Sequence, residues 1–591
     1  MEPKRVFDLI SYRIQQKGNE DIVFTSYSDE KWHDLSAADY ARQVDLVASA
    51  LLSKGIGKGD KVALIAGSRP EWNVTDMAIL SIGAIDVAIY PTISPAEYEY
   101  ILNHAEVKAL IIENEHLLHK IEPIATNTDC VQNIFTIDKV DDTHLSFDDL
   151  LDEGRQHLDE EKLQQLRDSI DEQDIVTIIY TSGTTGNPKG VMLTHRNLIQ
   201  QAVNIKKGHI FNLNRDRRVL SFLPLCHVFE RTLVYSYQYL GFRIFYARSL
   251  GSVIEDIQTI RPQVMTTVPR VLEKVYLRLR DKGKKLTGVN KRIYFWSVGV
   301  ANRYNVEHRS LWYRIKHLCA NVLVYRRWRK ALGGDFDFII SGGSAIAPQL
   351  SNFFDAIGWP IFQGYGMSET SPVISVSNRL RHGRVGGSVG PALPGVEIRI
   401  DSKNNEVCCK GHGIMKGYYK APELTAEIID SDGWLHTGDA GYLDRHGRLF
   451  LTGRIKSLFK TSLGKYINPD AVEEKLHDSP LISNILVVGE NQRFPAAIIV
   501  PEFTALREAA EKQRIACGSD EDIVHNKAIE RLMLKEIRRF DKYFGDWEQV
   551  KRIRLVNDEW SPATGVITPT LKLKRGKLMH KYEDVIKELF D

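Results

Sequence analysis

The stretch Tyr180-Thr-Ser-Gly-Thr-Thr-Gly-Asn-Pro-Lys189-Gly190 constrains this chain more than any other. The residues leading into it, Asp174-Ile-Val-Thr-Ile-Ile-Tyr180, are rich in β-branched side chains and predict a strand that feeds a loop. Three glycines and four small hydroxyl residues in that loop leave little to bury. They leave backbone N–H groups and hydroxyls free to surround an anion, and Lys189 adds charge. Ordered structure resumes at Val191, with a helix expected from about Thr194. The chemistry implied is a phosphate cradle. It is not the common phosphate loop, whose lysine follows a glycine and precedes Ser or Thr. Here the lysine follows Asn187-Pro188 and precedes Gly190.

A cradle needs a scaffold, and the flanking sequence predicts one. Helical apolar spacing over 36–54 is followed by the turn Gly55-Ile-Gly-Lys-Gly-Asp60 and a buried strand over 61–66. A helix near 70–82 and a strand over 86–90 come next. Such alternation predicts layered α/β structure with largely parallel strands. Residues 141–174 are acidic and helical and read as a solvated connecting face. At 591 residues the chain exceeds a single core, so several units are expected. From position 456 the composition changes to a smaller unit, with strands over 481–488 and 496–500 and mostly helix over 503–540. The expected division is a large N-terminal unit, 1–455, and a small C-terminal one, 456–591.

Net charge is +2, which by itself implies no nucleic-acid or membrane partner. The six cysteines are scattered without a C-x-x-C pair, so zinc and disulfide frameworks are weakly supported and a reducing cytoplasm fits. No apolar signal segment follows Met1, and no apolar run reaches the ~20 residues needed to span a bilayer.

Further candidate chemistry is spread along the chain. Residues 219–224 read as a strand ending in Leu225-Cys-His227, where neighbours on a strand would face opposite ways. A strand over 336–341 leads into Gly342-Gly343-Ser344, whose glycines let a flat ring approach the backbone. In Gln363-Gly364-Tyr365-Gly366-Met-Ser368-Glu369 an aromatic between glycines can offer its face to a base. The carboxylate of Glu369 can hold a hard divalent cation carried by phosphates. Asp439, after Gly433-Trp-Leu-His-Thr-Gly438, can accept ribose hydroxyls. Arg454 follows in Thr452-Gly-Arg454, and three cations, Lys572, Lys574 and Arg575, close Thr568-Pro-Thr-Leu-Lys-Leu-Lys-Arg575.

Taken in order, these elements resemble the adenylate-forming superfamily of acyl-CoA synthetases, luciferases and peptide-synthetase adenylation domains. The closing motif is similar to that of the long-chain fatty acid–CoA ligases. The resemblance covers nearly the whole chain, weakest over 141–172 and 283–330. It implies an α/β fold with a large N-terminal domain of several layered sheets and a small, mobile C-terminal α+β domain.

The implied activity is ATP-dependent conversion of a long-chain fatty acid to acyl-AMP, then transfer to CoA, with ATP, Mg2+ and CoA as partners. By resemblance Thr181, Ser182, Gly183, Thr184, Thr185, Gly186 and Lys189 hold the phosphates. Gly343, Ser344, Gly364, Tyr365, Gly366 and Ser368 surround the adenine side, with Ser368 standing where the family has Thr. Asp439 and Arg454 reach the ribose. Glu369, with Thr184, binds magnesium. His227, Gly366 and Gly464 border the acyl and thiol substrates. Lys456 falls at the hinge. Lys572 matches the catalytic lysine, although Leu571 replaces the family's usual glycine, and Lys574 is the next position if the alignment slips. An adenylating enzyme with a carrier-protein or amine acceptor, a ligase for medium-chain or other acids, and a non-catalytic scaffold on this fold are the alternatives. Intact Lys189, Glu369, Asp439, Arg454 and Lys572 speak against the scaffold.

Residues 274–330 interleave cations with Trp296, Trp312, Tyr313, Tyr325 and Trp328 at mostly helical spacing. One reading is a solvated helical hairpin whose aromatics pack inward. The other is a peripheral surface for anionic lipid headgroups.

Overall fold

The computed structural model describes residues 2–181, 187–211, 217–333, 336–455, 457–569 and 572–591. Two large twisted sheets carry the N-terminal part. Among the described residues the first has eight strands, in the order Val373–Val376, Ile361–Gly366, Phe338–Ser341, Val264–Thr267, Arg218–Ser221, Arg243–Tyr246, Ile22–Ser28 and Lys31–Ser36. Its inner strands are all parallel, and only the pairings at the two edges are antiparallel. The second sheet has seven strands among the described residues, with a parallel core of Ile175–Thr181, Ile85–Ala88, Lys61–Ile65, Val107–Ile112 and Asn133–Thr136. Strands such as Val107–Ile112 and Val264–Thr267 are almost wholly buried, as helices on both faces require. The layered α/β expectation holds.

The predicted loop joins two antiparallel strands, Ile175–Thr181 and Lys189–Thr194, with Thr181 opposite Lys189. The helix His195–Lys207 begins where expected, because Thr194 accepts from the Asn197 N–H and Asn197 returns the bond. Two expectations need correction. The strand expected over 219–224 ends at Ser221, so Cys226 and His227 lie in a turn and not on a strand. The acidic helix Phe147–His157 is not wholly a solvated face. It packs on the helix Ala37–Ser53 so closely that a Cβ at Gly154 would lie 2.1 Å from the Leu46 carbonyl oxygen.

A third sheet, antiparallel and five-stranded among the described residues, includes Glu406–Gly411, Leu435–Leu443 and Arg448–Arg454. The C-terminal residues build their own cores. One unites Ile485, Ile499, Leu506 and Met533, and another unites Leu486, Ile498, Trp560 and Leu578 across the opposite face of the same small sheet.

Residues 274–330 fold as helices Pro269–Lys284, Gly288–Asn302 and Leu311–Ala320, followed by a π turn, Asn321–Tyr325. Tyr294, Tyr325 and Trp328 are buried and stack toward Phe353, so these aromatics pack inward. No helix among the described residues is long and apolar enough to cross a membrane.

One buried cation ties the two large sheets together. Arg231, on the helix Val228–Tyr239, pairs with Asp76 and lies 2.8 Å from Asp86. It also donates to Thr177 Oγ1 at 2.9 Å and to Tyr235 at 2.7 Å. Burial, reinforced by Asp76 and opposed by Arg231, pushes the Asp86 carboxyl well above its usual range. Removing the only charge partner of such a group leaves its desolvation uncompensated. Arg231→Met is therefore expected to cost about 3–5 kcal/mol, read from the denaturant midpoint of the N-terminal transition. A loss below about 1 kcal/mol would show that the two carboxylates do not depend on it.

Candidate active site

The predicted functional residues converge on the cleft between the large sheets, the third sheet and the small domain. Asp439 and Arg454 sit directly opposite each other in the strand pair Leu435–Leu443 and Arg448–Arg454. Strand register therefore sets their contact, with Arg454 Nε 3.3 Å from Asp439 Oδ1. The other carboxylate oxygen accepts the Tyr365 hydroxyl at 2.8 Å. Tyr365 projects from the end of the strand Ile361–Gly366, just before a register shift. Burial first, then the Asp439 charge, drive its phenol well above the ordinary value, so it stays a donor. The next residue must be glycine, since a Cβ at Gly366 would lie 1.7 Å from the Pro372 carbonyl oxygen. Gly364, Ser368, Gly343 and Ser344 lie on the same side of the first sheet, at the ends of its strands Ile361–Gly366 and Phe338–Ser341.

Glu369 is buried in a single turn, Ser368–Thr370. Its Oε1 accepts the Tyr418 hydroxyl at 2.8 Å. Tyr418 arrives from an edge strand of the second sheet, and the Lys189 ammonium lies 5.1 Å from its ring. One cleft thus lines up the cradle's lysine, a tyrosine and a carboxylate. Burial raises the Glu369 carboxyl above its usual range, against the Tyr418 hydrogen bond and the charges of Lys189 and Arg454. A hard oxygen donor facing a cationic wall fits a divalent cation that arrives with polyphosphate, because the cation reverses the cost of ionising a buried acid.

His227 caps the helix that carries Arg231. Its Nδ1 accepts the Phe229 N–H at 3.1 Å, so the remaining proton resides on Nε2. Burial, and then the Lys572 ammonium, push the imidazole down to about 4. An apolar cavity lined by Ile205, Phe211, Phe229, Leu233, Ile340 and Gly364 lies just beyond.

Lys572 reaches this cleft from the small domain. It stays open to solvent on one side, while burial and Arg454 lower its ammonium against the pull of Asp439, Asp470 and Glu369. Lys574, the alternative position, is committed elsewhere: its Nζ lies 2.6 Å from Glu97 Oε1. Gly464, in contrast, is not brought to the cleft. It occupies the turn between Phe459–Lys460 and Tyr466–Ile467, in the left-handed region at φ +81°, with Leu463 and Tyr466 turned to solvent. Ser182, Gly183, Thr184, Thr185, Gly186 and the hinge residue Lys456 lie outside the described residues. Tyr418 escaped the sequence reading, because nothing about Gly417-Tyr418-Tyr419 marks a partner for Glu369 until the sheets are assembled.

Comparison with known proteins gives the same organisation. The family model described as AMP-binding enzyme matches residues 12–419, and that of the AMP-binding enzyme C-terminal domain matches 457–591. The long-chain-fatty-acid–CoA ligase FadD15 of Mycobacterium bovis is 30% identical over 96% of this chain and 94% of its own. Long-chain-fatty-acid–CoA ligase 5 of Rattus norvegicus is 29% identical over 95% of this chain and 84% of its own. In fold, the adenylation domain of the carboxylate reductase from Mycobacterium chelonae superposes with a TM-score of 0.74 at 20% identity, covering 99% of this chain and 91% of that one.

The electrostatics make a direct test of how the small domain sits. His227 should remain neutral down to about pH 5, followed by selectively labelled histidine in nuclear magnetic resonance. Lys572→Met should raise its midpoint, yet not to the ordinary 6.5, because burial persists. A midpoint that ignores Lys572 would mean that the lysine does not approach the imidazole.

Proposed function

The chain belongs to the AMP-binding enzyme family, and from that premise we propose that it activates a long-chain fatty acid with ATP and passes the acyl group to CoA. The observation that carries this reading is the meeting of Lys572 with Asp439, Arg454, Glu369 and His227 in one cleft. The units divide at about residue 456, with 1–455 holding the nucleotide and 456–591 supplying the lysine.

A carboxylate is a poor acyl donor, since oxide would have to leave. Attack of the fatty carboxylate oxygen on the α-phosphorus of ATP forms a P–O bond and breaks the bond to pyrophosphate. In the resulting acyl-AMP the leaving group is AMP. Charge accumulates on phosphoryl oxygens, so the protein's work is positioning and electrostatic stabilisation. Thr181, Ser182, Thr184, Thr185 and Lys189 hold the β- and γ-phosphates. Tyr365 stacks on adenine, with Gly343, Ser344, Gly364 and Gly366 closing around the base. Asp439 and Arg454 hold the ribose, and the existing Tyr365–Asp439 bond keeps that carboxylate oriented. Magnesium, when bound, supplies charge neutralisation of the phosphates, and Glu369 with Thr184 would hold it. Lys572 contacts the incoming carboxylate and the α-phosphate. Neutral His227 borders the acyl group without competing as a second cation.

The thiolate of CoA then attacks the acyl carbonyl, forming the thioester and releasing AMP. For that step the small domain turns about Lys456, withdraws Lys572 and brings the turn at Gly464 to the cleft. Its solvent-facing position accords with a pose set for the first step.

A pyrophosphate-release and thioester assay over a fatty-acid length series, with and without CoA, tests the reading. Lys572→Ala should abolish acyl-AMP formation and leave thioester formation from supplied acyl-AMP largely intact. Normal adenylation in that variant would remove Lys572 from the mechanism. Pyrophosphate release that needs no CoA, with acyl transfer only to a carrier protein or an amine, would favour the other acceptors.

The enzyme's lipid substrate is delivered from an anionic membrane surface, on this reading, by the helix Leu311–Ala320 and the π turn after it. Leu311 (74% exposed), Trp312 (75%), Ile315, Leu318 (62%) and Val322 face outward at helical spacing. Arg314, Lys316, Arg326 and Arg327 flank them, all exposed. Each cation near an anionic bilayer contributes about 1 kcal/mol, and the apolar row adds burial that a charged surface alone lacks. The inward-packed Tyr294, Tyr325 and Trp328 take no part. The protein should co-sediment with vesicles containing anionic lipid and be released by salt. Changing Arg314, Lys316, Arg326 and Arg327 to Gln, or Trp312 and Leu318 to Ser, should each weaken binding severalfold. Binding that ignores both sets of changes, or is absent at low salt, would assign this face no membrane role.

A further inference from the structure

Three cations close the C-terminal motif, and the structure sends each to a different place. The described residues on either side of 570–571 pair as the two arms of a hairpin. Thr568 N–H donates to the Lys572 carbonyl at 2.7 Å, Lys572 N–H returns to Thr568 Oγ1 at 3.0 Å, and Lys574 N–H reaches the Val566 carbonyl at 2.9 Å. Arg575 anchors the hairpin to its own domain, donating to the Val487 carbonyl and lying 2.7 Å from Glu473. Lys572 enters the nucleotide cleft. Lys574 crosses to the large domain and meets Glu97 at 2.6 Å, with side chains only 7% and 12% exposed.

Glu97 is prepared for that partner. It is the third residue of the helix Pro95–Ala105, where its Oε2 accepts the Ser94 hydroxyl at 3.0 Å and its carboxylate completes the helix cap. The other oxygen, Oε1, takes Lys574. Burial by itself would raise the Glu97 carboxyl, but the Lys574 and Ser94 contacts outweigh it and hold it below its usual range. The two groups are 477 residues apart in sequence and join different domains, and in this structure the contact accompanies the insertion of Lys572.

We propose that Glu97 and Lys574 form a pose-selective latch: Lys574 is a positioning residue that holds the small domain where Lys572 can serve acyl-adenylate formation. This rests on the acyl-activation reading above. Because Lys572 and Lys574 lie two residues apart on one hydrogen-bonded arm, seating Lys574 on Glu97 restricts where Lys572 can reach. The pair adds nothing to the thioester step, for which the small domain must leave. A ligand or contact favours one of two poses only by its differential interaction with them, and this pair supplies such a difference.

The test separates latch from fabric. Glu97→Gln keeps an N3 side chain able to cap the helix, and Lys574→Met keeps the apolar stem. Each should slow acyl-AMP formation about 10- to 100-fold, the range for losing a charge-assisted hydrogen bond, without slowing thioester formation from supplied acyl-AMP. The double variant should be no worse than either single one. In parallel, spin labels at Glu99→Cys and Lys577→Cys, with Cys130, Cys319 and Cys517 replaced by Ser, report the distance between domains by pulsed electron resonance. The wild-type pair should show a short-distance population that both latch variants deplete. Equal losses in both half-reactions, additive single effects, or an unchanged distance distribution would overturn the latch. If the parent protein makes no acyl-AMP, the acyl-activation reading falls, and the distance distribution still judges the pair.

Discussion

Arg231 is the buried charged contact between the two large sheets, which also meet through apolar packing and through hydrogen bonds such as Asn73 to the Tyr246 hydroxyl and Ser68 to the Leu223 carbonyl. Hydrophobic packing is non-directional and tolerates sliding, whereas a guanidinium with fixed donors does not. Arg231 reaches Asp76 on one helix, Asp86 on one strand and Thr177 on the strand that enters the phosphate loop. It therefore fixes that strand against the helix Val228–Tyr239. His227 stands one turn earlier on that helix and inherits the placement. The apolar cavity beneath Gly364 is bounded by the same helix, through Phe229 and Leu233. His227 and the small apolar cavity are thus both placed by the helix that this ionic contact seats.

A second consequence of the layering is a division of electrostatic labour. The buried acids have their proton affinity raised by desolvation, Glu369 at the cleft and Asp86 at the sheet junction, and each is met by a positive or hydroxyl partner from a different layer. Tyr418 joins Glu369 to the second sheet, and Tyr365 joins Asp439 to the first. The groups that would hold ATP are oriented before it binds, so less freedom is lost on binding. The small domain, by comparison, contacts the large one through polar pairs such as Lys574 with Glu97. Polar interdomain contacts of this kind suit the docking and undocking that the proposed two-step reaction requires.

The helical insertion follows the opposite logic. Its inner face is locked by rings such as Tyr325, Trp328 and Phe353, while its outer face exposes leucine and tryptophan beside arginine. The period of 3.6 residues separates the two faces, so one helical segment can pack inward and still expose an apolar row beside cations. Counting aromatics in the sequence did not reveal which belonged to which face.

By itself the sequence determined the layered α/β class, the strand that leads into the loop before Lys189, the helix start at Thr194 and the small C-terminal unit. These depend on local pattern: β-branched runs, caps, glycines and changes of period. It also marked Tyr365, Glu369, Asp439, Arg454 and Lys572, since glycine and charge spacing survive in one dimension. Three matters were left to the tertiary structure. Which of Lys572 and Lys574 enters the cleft depends on Glu97, which lies more than four hundred residues upstream of either. Whether Cys226 and His227 share a strand depended on where the ladder of the strand Arg218–Ser221 stops, a matter of its neighbours. That Tyr418 would satisfy Glu369 required two sheets to close on each other. In each case the deciding partner is distant in sequence, and such contacts have no periodic trace along the chain because they form only when the layers pack.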